Sequence, residues 1–380
     1  MNGDKSKNIL LRHRPLGLSI FLLIVATGGS ILQIGGTSWD VTSHLLQLPE
    51  TFFTPSHVLL YTGIGLLVIS AAIALILFLQ DKEIRKMSFT ISFKLLMVGS
   101  VISVIAGPSD YFWHETFGID GLLSPTHLTL ITGMLINSIA VVLGLGRIIV
   151  HLPTMNQKRI IKAVLIPSFA AMWLTIIWYI YMFALPFSNG ENFDFNLNPI
   201  SELVVAIITL PLISSMVFVT ASKTLGVYGA SAVVSLLIGM IAITNILPAN
   251  KLVPFLPGYL ALIIVALIAD LLLNKSKRAL RLESKILGVE KSVLVAGALM
   301  GSIFYLLGYP MLPTTFAVSL GNFDFHPIND ILPIFENTLS NVLPITIIIG
   351  AIMGVAGSLI SVKKIRPETS VKHKDTAELV

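Results

Sequence analysis

Cysteine is absent from the 380-residue chain. That excludes disulfides, thiolate-held iron–sulfur clusters, cysteine zinc sites and thiol catalysis, so any metal must be held by nitrogen and oxygen. Charge is scarce as well: 12% of residues are Asp, Glu, Lys or Arg, where a soluble domain carries roughly 25%. Apolar residues make up 54% and the mean hydropathy is +0.87, which leaves too little polar surface to solvate a globule. No nucleotide-binding glycine loop, nucleophile elbow or lipidation signal occurs. The net charge of +5 would point a soluble protein towards nucleic acid. In a membrane protein it raises a different question, namely which side the positive charges occupy, and no nucleic-acid partner is expected.

The reading is an all-α polytopic transmembrane helical bundle. Apolar windows of about 20 residues, enough to cross the hydrocarbon core, recur ten times: 15–37, 56–80, 90–108, 125–149, 160–185, 200–221, 226–247, 252–273, 292–312 and 338–361. An even count puts both termini on one side. Of 25 Lys and Arg residues, only Lys251 falls on the opposite side from the rest. The basic side includes Lys5, Arg12, Arg85, Arg147, Lys158, Lys275, Lys291 and Lys363. The positive-inside rule makes that side, and both termini, cytoplasmic, in a multi-pass protein of the cell membrane. The first span, longer than a signal-peptide core, reads as a retained helix. Residues 1–150 hold spans one to four, and residues 151–380 hold spans five to ten with a cytoplasmic tail. No soluble domain or long linker separates them, so the chain is one integrated membrane unit. Residues 274–291 read as an amphipathic or extended connector. The expected partners are the lipid bilayer, a metal ion, and further subunits in a homo- or hetero-oligomer.

The outer face gathers the acids: Asp40, Glu50, Asp110, Glu115, Asp120, Glu191, Asp194, Glu202, Asp324, Asp330 and Glu336. Acids contribute little to topology, so a concentration of this kind calls for a cation or a buried partner. Five of the eight histidines (His44, His57, His114, His127 and His326) share that face. His13, His151 and His373 lie among cytoplasmic basic residues and carry no expected function. Asp270, near the cytoplasmic end of the eighth span, is expected to snorkel towards Lys275.

An internal repeat combines the two residue types. Asp40-x3-His44-x12-His57 and Asp110-x3-His114-x12-His127 have identical spacing. Thr54-Pro55-Ser56-His57 parallels Ser124-Pro125-Thr126-His127, a glycine follows at Gly63 and Gly133, and a backbone breaker precedes each copy at Gly35-Gly36 and Gly107-Pro108. Helical positions i and i+4 share a face, so each Asp and first His can address one point. Thr54 or Ser124 fits an N-cap and the following proline fits N1, which puts each second histidine at N3 of the returning helix. One carboxylate and two imidazoles then form a three-ligand site with open positions. Such ligands admit copper, zinc, iron or manganese. Glu115 and Asp120, and from a later hairpin Asp324 and His326, are expected as second-layer partners that orient the imidazoles. The second copy, with more carboxylates around it, is expected to bind more tightly.

This spacing resembles the metal-binding signature in the C subunit of the copper membrane monooxygenases, the particulate methane and ammonia monooxygenases. The resemblance implies copper at Asp40, His44 and His57, and a second copper at Asp110, His114 and His127. It also implies an oxidoreductase of monooxygenase type, or an accessory subunit of one. Ten spans and a doubled motif depart from that family's smaller, single-motif subunit. The chain is also similar to a group of archaeal and bacterial polytopic membrane proteins with a Trp/Tyr-x-Asp, His and Pro-x-His pattern, a likeness that implies no activity.

The later half reads either as reduced copies of the plan or, at its Asn-Phe-Asp-Phe segments, as simple turns. Asn192-Phe193-Asp194-Phe195 precedes Asn198-Pro199-Ile200-Ser201, and Asn322-Phe323-Asp324-Phe325 precedes His326-Pro327-Ile328-Asn329. All these hairpins run the same way through the membrane, so the repeat is parallel. Three other functions compete with the copper reading. Metal acquisition or transport suits the acidic face, but no chain of polar residues continues down the spans to the cytoplasm. A membrane-embedded zinc hydrolase suits the ligand set but lacks a further His-x3-His or His-x3-Asp pair in a suitable span. A haem-b carrier would leave the aspartates unexplained.

Overall fold

The computed structural model describes the backbone of residues 3–45, 51–118, 122–184, 195, 197, 199–246, 256–275, 284–286, 288–304, 344 and 347–363. Side chains are described for these residues except 3–14, 44–45, 199–200, 202–203, 242–246, 256–261, 275 and 303–304. Helices account for nearly all of them. In order they are α1 (Gly3–Leu45), α2 (Pro55–Gln80), the single turn α3 (Lys82–Arg85), α4 (Thr90–Phe117), α5 (Pro125–Ile148), α6 (Met155–Ala184), α7 (Pro199–Leu225), α8 (Ala230–Ile246), α9 (Leu256–Asp270) and α10 (Lys291–Leu299). The helix Ile347–Lys363 follows as α11.

Among the described residues, six helical stretches are long and apolar enough to cross a bilayer: Pro15–Ser43, Pro55–Gln80, Thr90–Phe117, Pro125–His151, Met155–Ala184 and Val204–Leu225. A spanning segment in lipid must satisfy its backbone internally, which an uninterrupted helix does. Shorter apolar helices among the described residues, Ala230–Ile241, Leu262–Asn274, Lys291–Ser302 and Ile347–Lys363, overlap the remaining expected spans in part. Exposed Ile69, Ile73, Ile76 and Leu79 on α2, and Val101, Val104 and Ile105 on α4, recur at helical spacing and form faces suited to lipid. The fold is that of a helical membrane protein.

Two hairpins dominate the first half, α1 against α2 and α4 against α5, with α1 also on α5 and α2 on α4. Each hairpin closes on glycine. A Cβ built on Gly63 would lie 2.4 Å from the Gln33 nitrogen and 2.6 Å from the Gly29 oxygen. One on Gly133 would lie 2.5 Å from Ser103 Oγ and 2.9 Å from the Gly99 oxygen. Small residues let helix backbones approach closely in a membrane, where packing rather than hydrophobicity holds helices together. Helix α6 packs against α1, α5, α7 and α8 and joins this half to the next. A third close approach pairs Gly297 and Gly301 of the α10 segment with Gly354 and Gly350 of α11.

Three local expectations change. Gly35-Gly36 and Gly107-Pro108 do not break the chain: α1 and α4 run straight through them, with Pro108 inside α4. Gly36 instead admits the backbone of Leu60, to which a Cβ would come within 2.5 Å. Asp270 does not snorkel. It is fully buried, because Ser222 Oγ donates to it at 2.6 Å and the Ser231 backbone N–H, in the first turn of α8, donates at 2.7 Å. A carboxylate with donors on both oxygens has no need to reach water. Within the connector, Lys285–Ile286 and Val289–Glu290 form a short antiparallel ladder around Gly288, whose φ is 78°.

Candidate metal centre

Helices α4 and α5 supply the second copy of the motif. Asp110 and His114 lie one turn apart near the end of α4. His127 sits in the first turn of α5, after an N-cap at Ser124 and Pro125 at the first helical position. Ser124 Oγ accepts the His127 backbone N–H at 3.1 Å, so the capping read from the sequence holds the third residue of the set in place.

The three side chains converge. His114 Nε2 and His127 Nε2 are 3.1 Å apart. Asp110 Oδ1 lies 3.4 Å from His127 Nε2, and Oδ2 lies 3.7 Å from His114 Nε2. All three residues are partly buried. Both rings are oriented from behind: His114 Nδ1 donates to the Gly118 carbonyl at 3.1 Å, and His127 Nδ1 donates to the Leu122 carbonyl at 3.1 Å. A carbonyl only accepts, so the ring proton belongs on Nδ1, and the neutral tautomer then turns the Nε2 lone pair inwards. Two such lone pairs and a carboxylate meeting at one point repel unless a proton or a metal ion lies between them. Asp110 Oδ1 is buried with no hydrogen-bond partner, which adds to that demand. The separations bracket the edge of about 3.3 Å expected for a tetrahedron with bonds of about 2.0 Å to nitrogen and oxygen.

The first copy is built on the same helical plan with a different internal state. Asp40 on α1 faces His57 on α2, with Oδ1 to Nε2 at 2.9 Å. His57 Nδ1 donates to the Thr51 carbonyl at 2.8 Å, and Ser56 Oγ donates to Asp40 at 2.8 Å. With Nδ1 committed, the 2.9 Å contact needs a proton between nitrogen and oxygen, so this is a closed, hydrogen-bonded pair. Thr54 stands at the N-cap, but its hydroxyl makes no cap bond and donates to Thr51 O at 3.1 Å. His44 follows Asp40 by one turn of α1, and its side chain lies outside the described residues.

The expected second-layer residues divide. Glu115 is exposed, while Asp120, Asp324 and His326 lie outside the described residues. Orientation of the imidazoles comes instead from backbone carbonyls, those of Thr51, Gly118 and Leu122, which carry no signature in side-chain spacing. Gly118, with φ 77°, is the one residue of that group a sequence could flag, as a glycine free to take positive φ at a helix end. Tyr61 was also missed. Its ring stacks on His57 with centroids 5.8 Å apart, and it lies within electrostatic reach of both Asp40 and Asp110. The bare Gly107 of α4 leaves room at its edge. The corresponding position in the second hairpin is Ile131, so the tyrosine belongs to one copy alone and lies between the two.

Comparison with family models, with curated proteins and with solved structures finds no match.

Proposed function

We propose that this chain is an integral membrane metal-binding protein with Asp110, His114 and His127 as its principal site. The observation that carries the reading is the convergence of the two Nε2 atoms, 3.1 Å apart, with both Nδ1 atoms committed to carbonyls. That arrangement prepares two neutral imidazole ligands and needs no folding change to accept an ion. Asp40, His44 and His57 form a second site of the same spacing, which must give up its Asp40–His57 proton before a metal enters. The repeat is a parallel one of two hairpins. It is supported by the glycine crossings Gly29–Gly63 and Gly99–Gly133, and by the interchange of α1 on α5 with α4 on α2. The four shorter apolar helices complete ten spans, and the distribution of Lys and Arg puts both termini in the cytoplasm and the sites at the outer face.

Copper is the metal we assign, on the motif's likeness to the copper membrane monooxygenases. The activity that goes with it is that of an oxidoreductase of that type, or of its accessory subunit, with the metal as Lewis acid or redox centre. A second reading, a zinc site of hydrolytic type, is favoured by the near-tetrahedral ligand separations. Elemental analysis of full-length protein, purified without added metal or chelator, separates them. Copper that disappears in the Asp110→Ala/His114→Ala/His127→Ala variant supports the first reading. Zinc that does so moves the assignment to the second. Metal content equal in both proteins removes the site.

A further inference from the structure

Tyr61 is contributed by the first hairpin and lies against the second. A Cβ built on Gly107 of α4 would meet Tyr61 Cε1, the ring carbon next to the one bearing the hydroxyl, at 3.5 Å. Gly107, Asp110 and His114 are spaced i, i+3 and i+7, so they share one face of α4. Side chains on a helix lean towards its N-terminus, which brings those of Asp110 and His114 down over the place that Gly107 leaves open. The hydroxyl end of the Tyr61 ring therefore lies on the ligand-bearing face, about one turn below Asp110. Asp110 first, and then Asp40, are the carboxylates that act on it electrostatically.

Neighbouring rings hold Tyr61 in this pose. It stacks on His57 with centroids 5.8 Å apart, and Phe52 covers it at 4.9 Å. Phe52 in turn meets Tyr111 of α4 edge-on at 5.3 Å. These rings stand outside the repeat. The copies are offset by 70 residues, and the counterparts of Phe52, Tyr61 and Tyr111 are Leu122, Ile131 and Val41. Thr37 stands where the second copy has Gly107. Its hydroxyl contacts the Gln33 carbonyl at 2.9 Å and Met134 Sδ at 3.4 Å. A glycine and a phenol thus meet below the second site, where a threonine and a methionine meet below the first.

Several hydroxyls of the second hairpin are already committed. Ser109, Thr116, Thr129 and Thr132 donate to the carbonyls of Ile105, Phe112, Pro125 and Leu128 in their own helices. No Lys or Arg occurs in residues 33–64 or 103–134, so neither motif offers a cationic side chain to an anion. The Tyr61 hydroxyl makes no hydrogen bond among the described residues. We propose that Tyr61 completes the second site across the boundary between the hairpins: its hydroxyl donates a hydrogen bond to a small anion, such as hydroxide, held at an open position of the metal. Three protein ligands leave such a position. A phenol donates without placing a second positive charge beside the metal, and a ring already fixed in place gives up little freedom in doing so. This role rests on the metal-binding reading and holds for copper and zinc alike.

Tyr61→Phe removes the hydroxyl and keeps the ring contacts, so it tests the role without unpacking the hairpins. Full-length parent and variant, in detergent, are loaded with one equivalent of Co²⁺, whose visible absorption reports its ligands, and then titrated with azide as the anion. The Asp110→Ala/His114→Ala/His127→Ala protein serves as the blank. Tyr61→Phe should hold Co²⁺ as tightly as the parent and bind azide about tenfold more weakly, the loss expected for one hydrogen bond to a charged group. A ring that served packing alone would leave azide affinity unchanged. Equal azide affinity in the two proteins, or no azide binding by either, would overturn the role of Tyr61 and leave the metal site standing. A parent that binds no more Co²⁺ than the blank would remove the metal site, and the role of Tyr61 with it.

Discussion

Asp40 and Asp110 occupy equivalent positions and meet different neighbours. Ser56 donates to Asp40, whereas Thr126, its counterpart, bonds Ser124 at 3.2 Å and leaves Asp110 Oδ1 buried without a hydrogen-bond partner. His57 Nε2 is closed by its 2.9 Å bond to Asp40 and must give up that proton before it binds a metal, whereas Asp110 stands 3.4 and 3.7 Å from its imidazoles. The site in the second hairpin should therefore hold its metal more tightly. Stepwise chelation reads this directly: His57→Ala should keep the slowly released ion and His127→Ala should lose it, and the reverse order would contradict the assignment. The convergence of Asp110 with His114 and His127 was legible from Asp-x3-His-x12-His, because helical periodicity brings i and i+4 together and the capped turn returns the third residue. The carbonyls that aim the rings were not legible, since any residue can supply a carbonyl and only the path of the connector decides which one does. Tyr61 escaped for a related reason: its place between the copies depends on how the two hairpins pack, which no local spacing encodes.

At the level of the element, capping and crossing do different work. Ser124 caps α5 through the backbone N–H of a proposed ligand, so Ser124→Ala should cost about 1 kcal/mol of stability and also weaken metal binding. Thr54→Ala, which removes no cap bond, should change metal retention less; comparison of the two by thermal unfolding in detergent and by metal titration checks this. Glycine crossings can be tested on a single helix. A methyl at Gly63 would clash with the Gln33 backbone, while Gly65 has nothing within 4 Å. Gly63→Ala should destabilise by about 1–3 kcal/mol, the usual penalty for overpacking, and Gly65→Ala should be neutral within error. Equal unfolding midpoints for the two would show that the hairpin does not close on glycine. The sequence marked Gly63 and Gly133 as repeated but not Gly29 and Gly99 as their partners, because partners on an antiparallel helix have no fixed separation along the chain. Glycine and proline before each motif were read as breakers on propensities measured in water. In the membrane, where an open backbone group finds no solvent, α1 and α4 stay helical through them.

Across the whole molecule, apolar windows located the helices closely: the six longest fall on expected spans, and the shorter ones overlap the other four. Span ends were less legible, since α1 and α4 run past the apolar windows to Leu45 and Phe117 and carry the motif on their extensions. Asp270 was misjudged because its donors, Ser222 and the start of α8, come from other helices. The proposed topology rests on charge alone, and it predicts that a reporter fused after Val380 is cytoplasmic; an external reporter would reverse the proposed placement of the sites. The central claim is that two imidazoles and one carboxylate bind a single metal on α4 and α5. X-ray absorption on the purified His57→Ala protein addresses it most directly. The account predicts imidazole scattering from two rings and a first shell of nitrogen and oxygen at about 2.0–2.1 Å, both lost when His114 and His127 are replaced by alanine. A spectrum with no imidazole contribution, or one unchanged by those replacements, would contradict it.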